Sequence, residues 1–359
     1  MQLEGFRRRE RMEIDKKYCM SSFLMYRTVA DASKAFDERY TPRLYEDDFS
    51  KIPIHQSSEL KTAIECQIAE WTKDGKAAIA LSGGIDSAII AKYMPKGSTA
   101  YTFKCVVPGT EVTDESAQAA KYAKECGLKH KVIEIYWEDF VRFAPELMKH
   151  KGAPIHSIEV QIYKAALKAK EEGFERLIFG ESSDVSYGGL SGLMSKDWRV
   201  GEFIDRYTYV KPYMVLKDSN LIIEPYLQYE NGGFIDAHEF CRGFFLKEGM
   251  GSYVNACETA GIKAETPYIH TTFAEPLDMD RIRAGENKYI VREVFYSLYP
   301  GYEAPAKLPM PRATNEWMKT WQGPIRSEFW PHCTDLFSGD QKWLVYALEQ
   351  WLNILDEKV

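Results

Sequence analysis

Apolar positions recur along the chain at two spacings, and the places where one gives way to the other mark its elements. From Ser57 to Thr72 the residues Leu60, Ala63, Ile64, Ile68 and Trp71 lie three or four apart, which predicts an amphipathic helix. A short continuous apolar run, Ala77-Ala78-Ile79-Ala80-Leu81, then reads as a buried strand. It breaks at Ser82-Gly83-Gly84-Ile85-Asp86 into a tight polar turn, and Ser87 to Tyr93 continues as the first turns of a helix. The same alternation repeats: strands at Ala100–Val107, His130–Ile135 and Arg176–Phe179, and helices at Asp114–Cys126 and Val160–Glu172, each followed by a glycine. Strands alternating with helices predict an α/β fold, a parallel sheet with helices on both faces. Past about residue 190 the strand signal fades, and a mainly helical C-terminal half is expected. It ends in a helix from Gln341 to Leu355 whose stripe of Trp343, Leu344, Ala347, Leu348, Trp351, Leu352 and Leu355 reads as core packing ahead of a dimer face.

The first 56 residues are too short and too polar for a core of their own, so they are expected to be a lead-in packed on a main domain spanning 57–359. Within that domain, 57–190 would form the α/β core and 191–359 the mainly helical remainder. Ligands of such sheets bind beyond the carboxyl ends of the strands, where both the 82–87 turn and Gly180-Glu181-Ser182-Ser183-Asp184 are expected to lie.

Composition narrows the classes. With 45% apolar residues the 359-residue chain can bury a large core, and its net charge of −7 argues against nucleic-acid binding as the main task. The one basic cluster, Arg7-Arg8-Arg9-Glu10-Arg11, is short and interrupted by acid. Seven cysteines contain no Cys-x-x-Cys pair, which fits a reducing, cytoplasmic setting better than a disulfide framework or structural zinc. No run approaches the roughly 18 apolar residues of a membrane span.

The 82–87 turn has the makings of a phosphate cradle. Adjacent Gly83 and Gly84 let the backbone approach an anion, the turn's N–H groups and the helix N-terminus offer positive partial charge, and Ser82 and Ser87 add hydroxyls. Asp86 puts a carboxylate beside the anion, which makes sense if a divalent cation bridges the two. No Gly-Lys-Ser or Gly-Lys-Thr occurs in the chain, so this is not a Walker loop.

Ser82-Gly83-Gly84-Ile85-Asp86-Ser87 instead resembles the pyrophosphate loop (PP-loop) of the ATP-pyrophosphatase superfamily, with its adenine nucleotide α-hydrolase-like fold. Gly180-Glu181-Ser182-Ser183-Asp184 followed by Tyr187-Gly188-Gly189 resembles the acidic motif of asparagine synthetases and β-lactam synthetases. Gly285-Glu286-Asn287-Lys288-Tyr289-Ile290-Val291-Arg292-Glu293 is similar to a third segment of that family, and the three occur in the family's order over residues 57 to about 300. The resemblance implies an AMP-forming carbon–nitrogen ligase. It would use Mg-ATP to convert a carboxylate into an acyl-adenylate, then pass the acyl group to ammonia or an amine. Asp86 and Asp184 would hold Mg²⁺, Lys288 would meet the departing pyrophosphate or the later tetrahedral intermediate, and Glu181 would face the acyl-adenylate and deprotonate the amine. Leu81, Phe103 and Gly180 would hold the adenosine.

Departures from the family bear on the substrate. Glutamine-dependent members begin with a cysteine after the initiator methionine; this chain begins Met1-Gln2-Leu3, with no room before residue 57 for a roughly 200-residue glutaminase domain. Nitrogen would then come from free ammonia, from an amine, or through a separate ammonia-supplying protein. An acceptor pocket is expected around Ser157, Glu159, Tyr163, Tyr187 and Glu265. Glu265 stands where asparagine synthetases carry arginine, so the activated acid is expected not to be aspartate. Ring closure within one molecule, as in β-lactam synthetase, is the alternative, with Tyr163 or Tyr187 beside Glu181 as a tyrosine–glutamate pair. A tRNA- or nucleoside-modifying enzyme and a non-catalytic nucleotide-binding module are the remaining classes. His156 reads as a polar structural residue, and the proline-rich stretch Leu308–Thr314 as an ordered surface loop, with closure of Arg312 over the phosphates as the minority reading.

Overall fold

Five parallel strands make the central sheet, and the reason they are parallel is visible in their burial. The computed structural model describes residues 12–47, 50–306 and 309–357; the basic cluster at 7–11, the Met1–Leu3 start and Leu308 lie outside them. In chain order the elements used below are α1 (Lys16–Tyr26), α2 (Ser57–Thr72), β1 (Ala77–Ala80), α3 (Ile85–Tyr93), β2 (Thr99–Cys105), α4 (Ser116–Cys126), β3 (Lys129–Ile135), α5 (Trp137–Lys151), α6 (Ile158–Glu171), β4 (Arg176–Ile178), α7 (Ser183–Ser186), α8 (Leu246–Ala260), β5 (Lys263–Glu265), α9 (Tyr289–Leu298) and α10 (Gly339–Asp356). The sheet order is β5–β4–β1–β2–β3. β2 and β3 pair over seven residues, from Thr99 opposite Lys129 to Cys105 opposite Ile135.

Every residue of β1 is buried, and successive side chains enter different cores. Ala77, Ile79 and Leu81 join Leu60 of α2, Ile89 of α3, Tyr122 of α4 and Phe295 of α9. Ala78 and Ala80 join Leu147 of α5, Val160 of α6, Ala256 of α8 and Trp351 of α10. This is the strand alternation of period two, with helices excluding water from both faces, as the apolar run predicts.

The stripe of α10 lies inside the second core. Trp343 donates from Nε1 to the Ile155 carbonyl at 3.1 Å, and Trp351 packs edge-on against Phe36 and Tyr40.

Two elements could not be read from the sequence as elements. β5 comes from the half expected to be helical, and its three residues Lys263-Ala264-Glu265 pair with β4 from Arg176 to Ile178. A three-residue charged edge strand has no apolar period of its own, so only its partner identifies it. α1, from the lead-in, is buried from Cys19 to Tyr26, with Met25 and Tyr26 in one core and Phe23 and Leu24 in the other. A helix apolar all round belongs in an interior, and burying Phe23 and Leu24 stabilises by roughly 1.5–3 kcal/mol each. Asp15 caps its start by accepting from Tyr18 N–H at 2.9 Å, and it ends on Arg27 in the left-handed region at φ 61°.

Chain order fixes where the sheet opens. From β1 the chain moves outward through β2 and β3, then crosses back to the other side of β1 for β4 and β5. Such a reversal leaves a crevice at the carboxyl end of the central strand. The 82–87 turn fills one side of that crevice and the 180–184 turn the other.

Candidate active site

The cradle is rigid because its own hydroxyls brace it. Ser82 N–H donates to Ser87 Oγ at 3.0 Å, Gly84 N–H donates to Ser82 Oγ at 3.1 Å, and the two hydroxyls lie 2.9 Å apart. Thr102 Oγ donates to the Leu81 carbonyl at 2.6 Å, tying the strand end to β2. The Gly83 N–H meets the Glu115 carboxylate, which burial raises above its ordinary pKa. Gly180 lets β4 end directly against this turn: a Cβ there would stand 2.8 Å from Ser87 N and 3.0 Å from Asp86 Cβ.

Beside the cradle, Lys288 lies between two carboxylates. Its Nζ is 2.6 and 2.9 Å from the Asp86 oxygens and 3.0 Å from Asp184 Oδ1, with the lysine side chain only 5% exposed. Those carboxylates lift the lysine well above its ordinary pKa against the opposing effect of burial. Ser183 Oγ donates to Asp86 Oδ1 at 2.8 Å, and Tyr268 OH donates to the Asp86 carbonyl at 3.0 Å. Lys288 holds φ at 53° at the start of α9, and Ser182 holds φ at 71° before α7. A left-handed residue without glycine costs of order 1 kcal/mol or more, and both occur in the segments that carry Lys288 and Asp184. Gly189 leaves room for Asp184, since a Cβ there would come within 1.9 Å of Asp184 Oδ1.

The cleft continues away from the cradle to α8. Its volume of about 410 Å³ is that of a small-ligand site. Tyr253, buried, hydrogen-bonds Glu181, and burial together with that carboxylate raises the phenol well above its ordinary pKa. Thr266 Oγ donates to the Glu181 carbonyl at 2.6 Å. Arg27, from the end of α1, donates to Glu248 Oε2 at 2.7 Å, lies 3.0 Å from His156 Nε2 and stacks 3.9 Å above the Tyr209 ring. Burial and neighbouring cations hold His156 well below the ordinary imidazole value.

Of the residues read from the sequence, Leu81, Ser82, Gly84, Asp86, Ser87, Phe103, Gly180, Glu181, Asp184 and Lys288 line this one cleft; Gly83 sits just behind it against Glu115. The expected acceptor residues do not line it. Glu159 is fully buried on Lys151, the His156 N–H and Asn255. Ser157 is buried at the start of α6. Tyr163 donates to Glu146 and packs edge-on against Phe143. Tyr187 donates to Thr271 Oγ. Glu265, at the end of β5, accepts from Phe179 N–H through its carbonyl, and burial raises its carboxyl. The tyrosine beside Glu181 is Tyr253, in place of Tyr163 or Tyr187. Arg312 does line the cleft, paired to Asp340 at 2.8 Å. Sequence reasoning missed Arg27, Tyr209, Glu248 and Tyr253, which share no motif; only the spacing of Glu248, Gly249, Ser252 and Tyr253 marks one helix face.

Among the described residues no group of three or more His, Cys, Asp and Glu is placed to hold a metal ion, and no helix is long and apolar enough to cross a membrane. Two carboxylates converging on one cation, here the Lys288 ammonium, do suit a hard ion whose other ligands are phosphate oxygens and water.

Comparison with known proteins bears on this cleft. No curated protein matches the chain. Among solved structures, an NMN synthetase from Francisella tularensis aligns over 73% of this chain and 99% of its own, at 15% identity and a TM-score of 0.27, too low to carry an argument. The family model described as asparagine synthase matches residues 58–249. That span holds the cradle, the acidic turn and Glu248, and it is more than half of the 359 residues, so the chain belongs to the asparagine synthase family, a family of ATP-using synthetases.

Proposed function

We propose that this protein activates a carboxylate with ATP, releasing pyrophosphate, and transfers the acyl group from the acyl-adenylate to a nitrogen nucleophile to form an amide. The observation that carries the reading is Lys288, held between Asp86 and Asp184 at the mouth of the braced cradle, with Glu181 and Tyr253 across the same cleft. A carboxylate oxygen attacks the α-phosphorus, and the bond to the β-phosphate oxygen breaks. Negative charge grows on the leaving pyrophosphate, where the cradle N–H groups and Lys288 meet it. Asp86 and Asp184 would hold a Mg²⁺ ion, which when bound would further neutralise the phosphate oxygens. In the second step the amine attacks the acyl carbon, Glu181 takes its proton, and AMP leaves. Leu81, Phe103 and Gly180 would flank the adenosine.

In this reading the nitrogen is ammonia, an amine, or ammonia handed over by another protein, and the acid is not aspartate. Exchange of labelled pyrophosphate into ATP, run over a panel of carboxylates with and without ammonium, tests the first half-reaction. Formation of ADP and phosphate instead, or exchange fastest with aspartate, would overturn the corresponding part. The Tyr253–Glu181 hydrogen bond favours a second reading, an intramolecular amide-forming cyclase, which would release AMP from one compound with no added ammonia.

A further inference from the structure

The end of the cleft farthest in sequence from the motifs carries three buried polar atoms that the fold leaves without a partner. Arginine can only donate, so His156 Nε2, 3.0 Å from Arg27 Nη1, is the acceptor of that bond. His156 is neutral, since burial and the nearby cations Arg27, Arg312 and Lys151 oppose its protonation. Its proton is therefore assigned to Nδ1. Glu248 receives Arg27 on Oε2 at 2.7 Å; burial raises this carboxyl and Arg27 opposes the rise. Left over are Arg27 Nε–H, His156 Nδ1–H and Glu248 Oε1, all buried and none with a hydrogen-bond partner among the described residues. His156 Nδ1 and Glu248 Oε1 are 3.8 Å apart, too far to bond each other. Native folds rarely leave such atoms unsatisfied, and three on residues that line one cleft mark a place where a ligand completes the bonding.

Charge and polarity say what kind of ligand. The guanidinium and the carboxylate cancel, the imidazole is neutral, and the nearby Arg312 and Lys151 are each paired to an acid of their own, so the subsite has no net charge. An ammonium group would meet Arg27 and a carboxylate would meet Glu248, each repelled as closely as it is attracted. A hydroxyl suits the pair His156 Nδ1–H and Glu248 Oε1, 3.8 Å apart, because its oxygen accepts from the N–H and its proton goes to the carboxylate. The subsite also adjoins the reacting end of the cleft: Gly249, next to Glu248, lies against Glu181, with its Cβ direction 3.8 Å from Glu181 Oε1.

Building on the adenylation reading above, we propose that Arg27, His156 and Glu248 form the specificity subsite for the activated acid, and that it takes a neutral, hydroxyl-bearing carboxylic acid in preference to an amino acid or a dicarboxylic acid. The test compares 4-hydroxybutyrate, 4-aminobutyrate and succinate, with their five- and six-carbon homologues. Binding is measured by calorimetry in the presence of a non-hydrolysable ATP analogue, and turnover by pyrophosphate exchange. The hydroxy acids are expected to be favoured about tenfold or more over both charged series. Glu248→Gln leaves Arg27 unbalanced and should move the dicarboxylate-to-hydroxy-acid ratio toward the dicarboxylate by about tenfold; Arg27→Gln should move the ratio toward the ammonium acids by a similar factor. A merely structural role would weaken all three series alike. Preference for a charged series in the unaltered protein, ratios unmoved by Glu248→Gln, or binding of none of the acids overturns the proposal. Selective binding of hydroxy acids with no exchange for any of them sustains the subsite and removes the adenylation reading instead.

Discussion

Among the described residues two lysines are buried against carboxylates, Lys288 and Lys151, with side chains 5% and 4% exposed. Lys151 binds Glu159 at 2.6 Å, and Glu159 also accepts from the His156 N–H at 2.8 Å and from Asn255 Nδ2 at 2.7 Å. None of Lys151, Glu159 and Asn255 lines the cleft, so that cluster is closed on itself and ties α5, α6 and α8 together. The carboxylates around Lys288 are 17% and 24% exposed, and both line the cleft. A buried ion pair becomes a candidate site when its carboxylates keep lone pairs turned to a cavity; the bond lengths of the two clusters are alike and do not distinguish them.

That contrast can be broken most directly at Lys288. Lys288→Met should lower pyrophosphate exchange by about 10³-fold, the scale of losing a fixed charge at the developing anion, with the fold intact by circular dichroism. Exchange within tenfold of the unaltered protein would make Lys288 as structural as Lys151. The complementary change, Glu159→Gln, leaves Lys151 buried without its counter-charge. It should lower the unfolding free energy by about 3 kcal/mol in urea titration, with kcat/KM of the folded fraction little changed. A selective loss of turnover without loss of stability would return Glu159 to the acceptor pocket.

Gly180→Ala presses a methyl group onto Ser87 N and Asp86 Cβ. Exchange should fall about 100-fold through misplacement of the cradle, and a crystal structure of the variant should show the turn displaced. Tyr253→Phe removes the hydrogen bond to Glu181 and should slow amide formation about tenfold while leaving pyrophosphate exchange nearly unchanged. Equal loss in both half-reactions would place Tyr253 with the packing residues.

The smallest effect concerns pH. His156 has a folded-state pKa below the ordinary 6.5, so below that pH the unfolded chain binds a proton that the folded one refuses. Stability is therefore lost as pH falls from about 6.5 toward the folded value, by at most about 1.4 kcal/mol per pH unit from this group. Thermal melts of His156→Gln should show a flatter acid limb; an unchanged limb would assign the slope to other groups.

Much of this molecule could be read before any coordinates. The strand, turn and helix around Ser82–Asp86 are legible because each depends on neighbours a few residues away: apolar alternation for β1, paired glycines for the turn, and helical spacing for α2 and α3. Asp184 and Lys288 were found because their segments resemble known motifs, although nothing local says that both meet Asp86. The residues expected in an acceptor pocket lie outside the cleft for the same physical reason. Ser157, Glu159 and Tyr163 are near His156 in sequence, but helical geometry turns successive residues to different faces, and Glu159 and Tyr163 found partners in the core.

The sequence by itself thus determined the fold class, the cradle and the identity of the groups beside it in the cleft, since short-range pattern and motif carry that information. Tertiary structure alone decided that β5 completes the sheet and that Tyr253 partners Glu181. It also brought Arg27 to Glu248 across 221 positions of chain. Contacts between residues so far apart depend on how whole helices pack, and no window of sequence contains both partners.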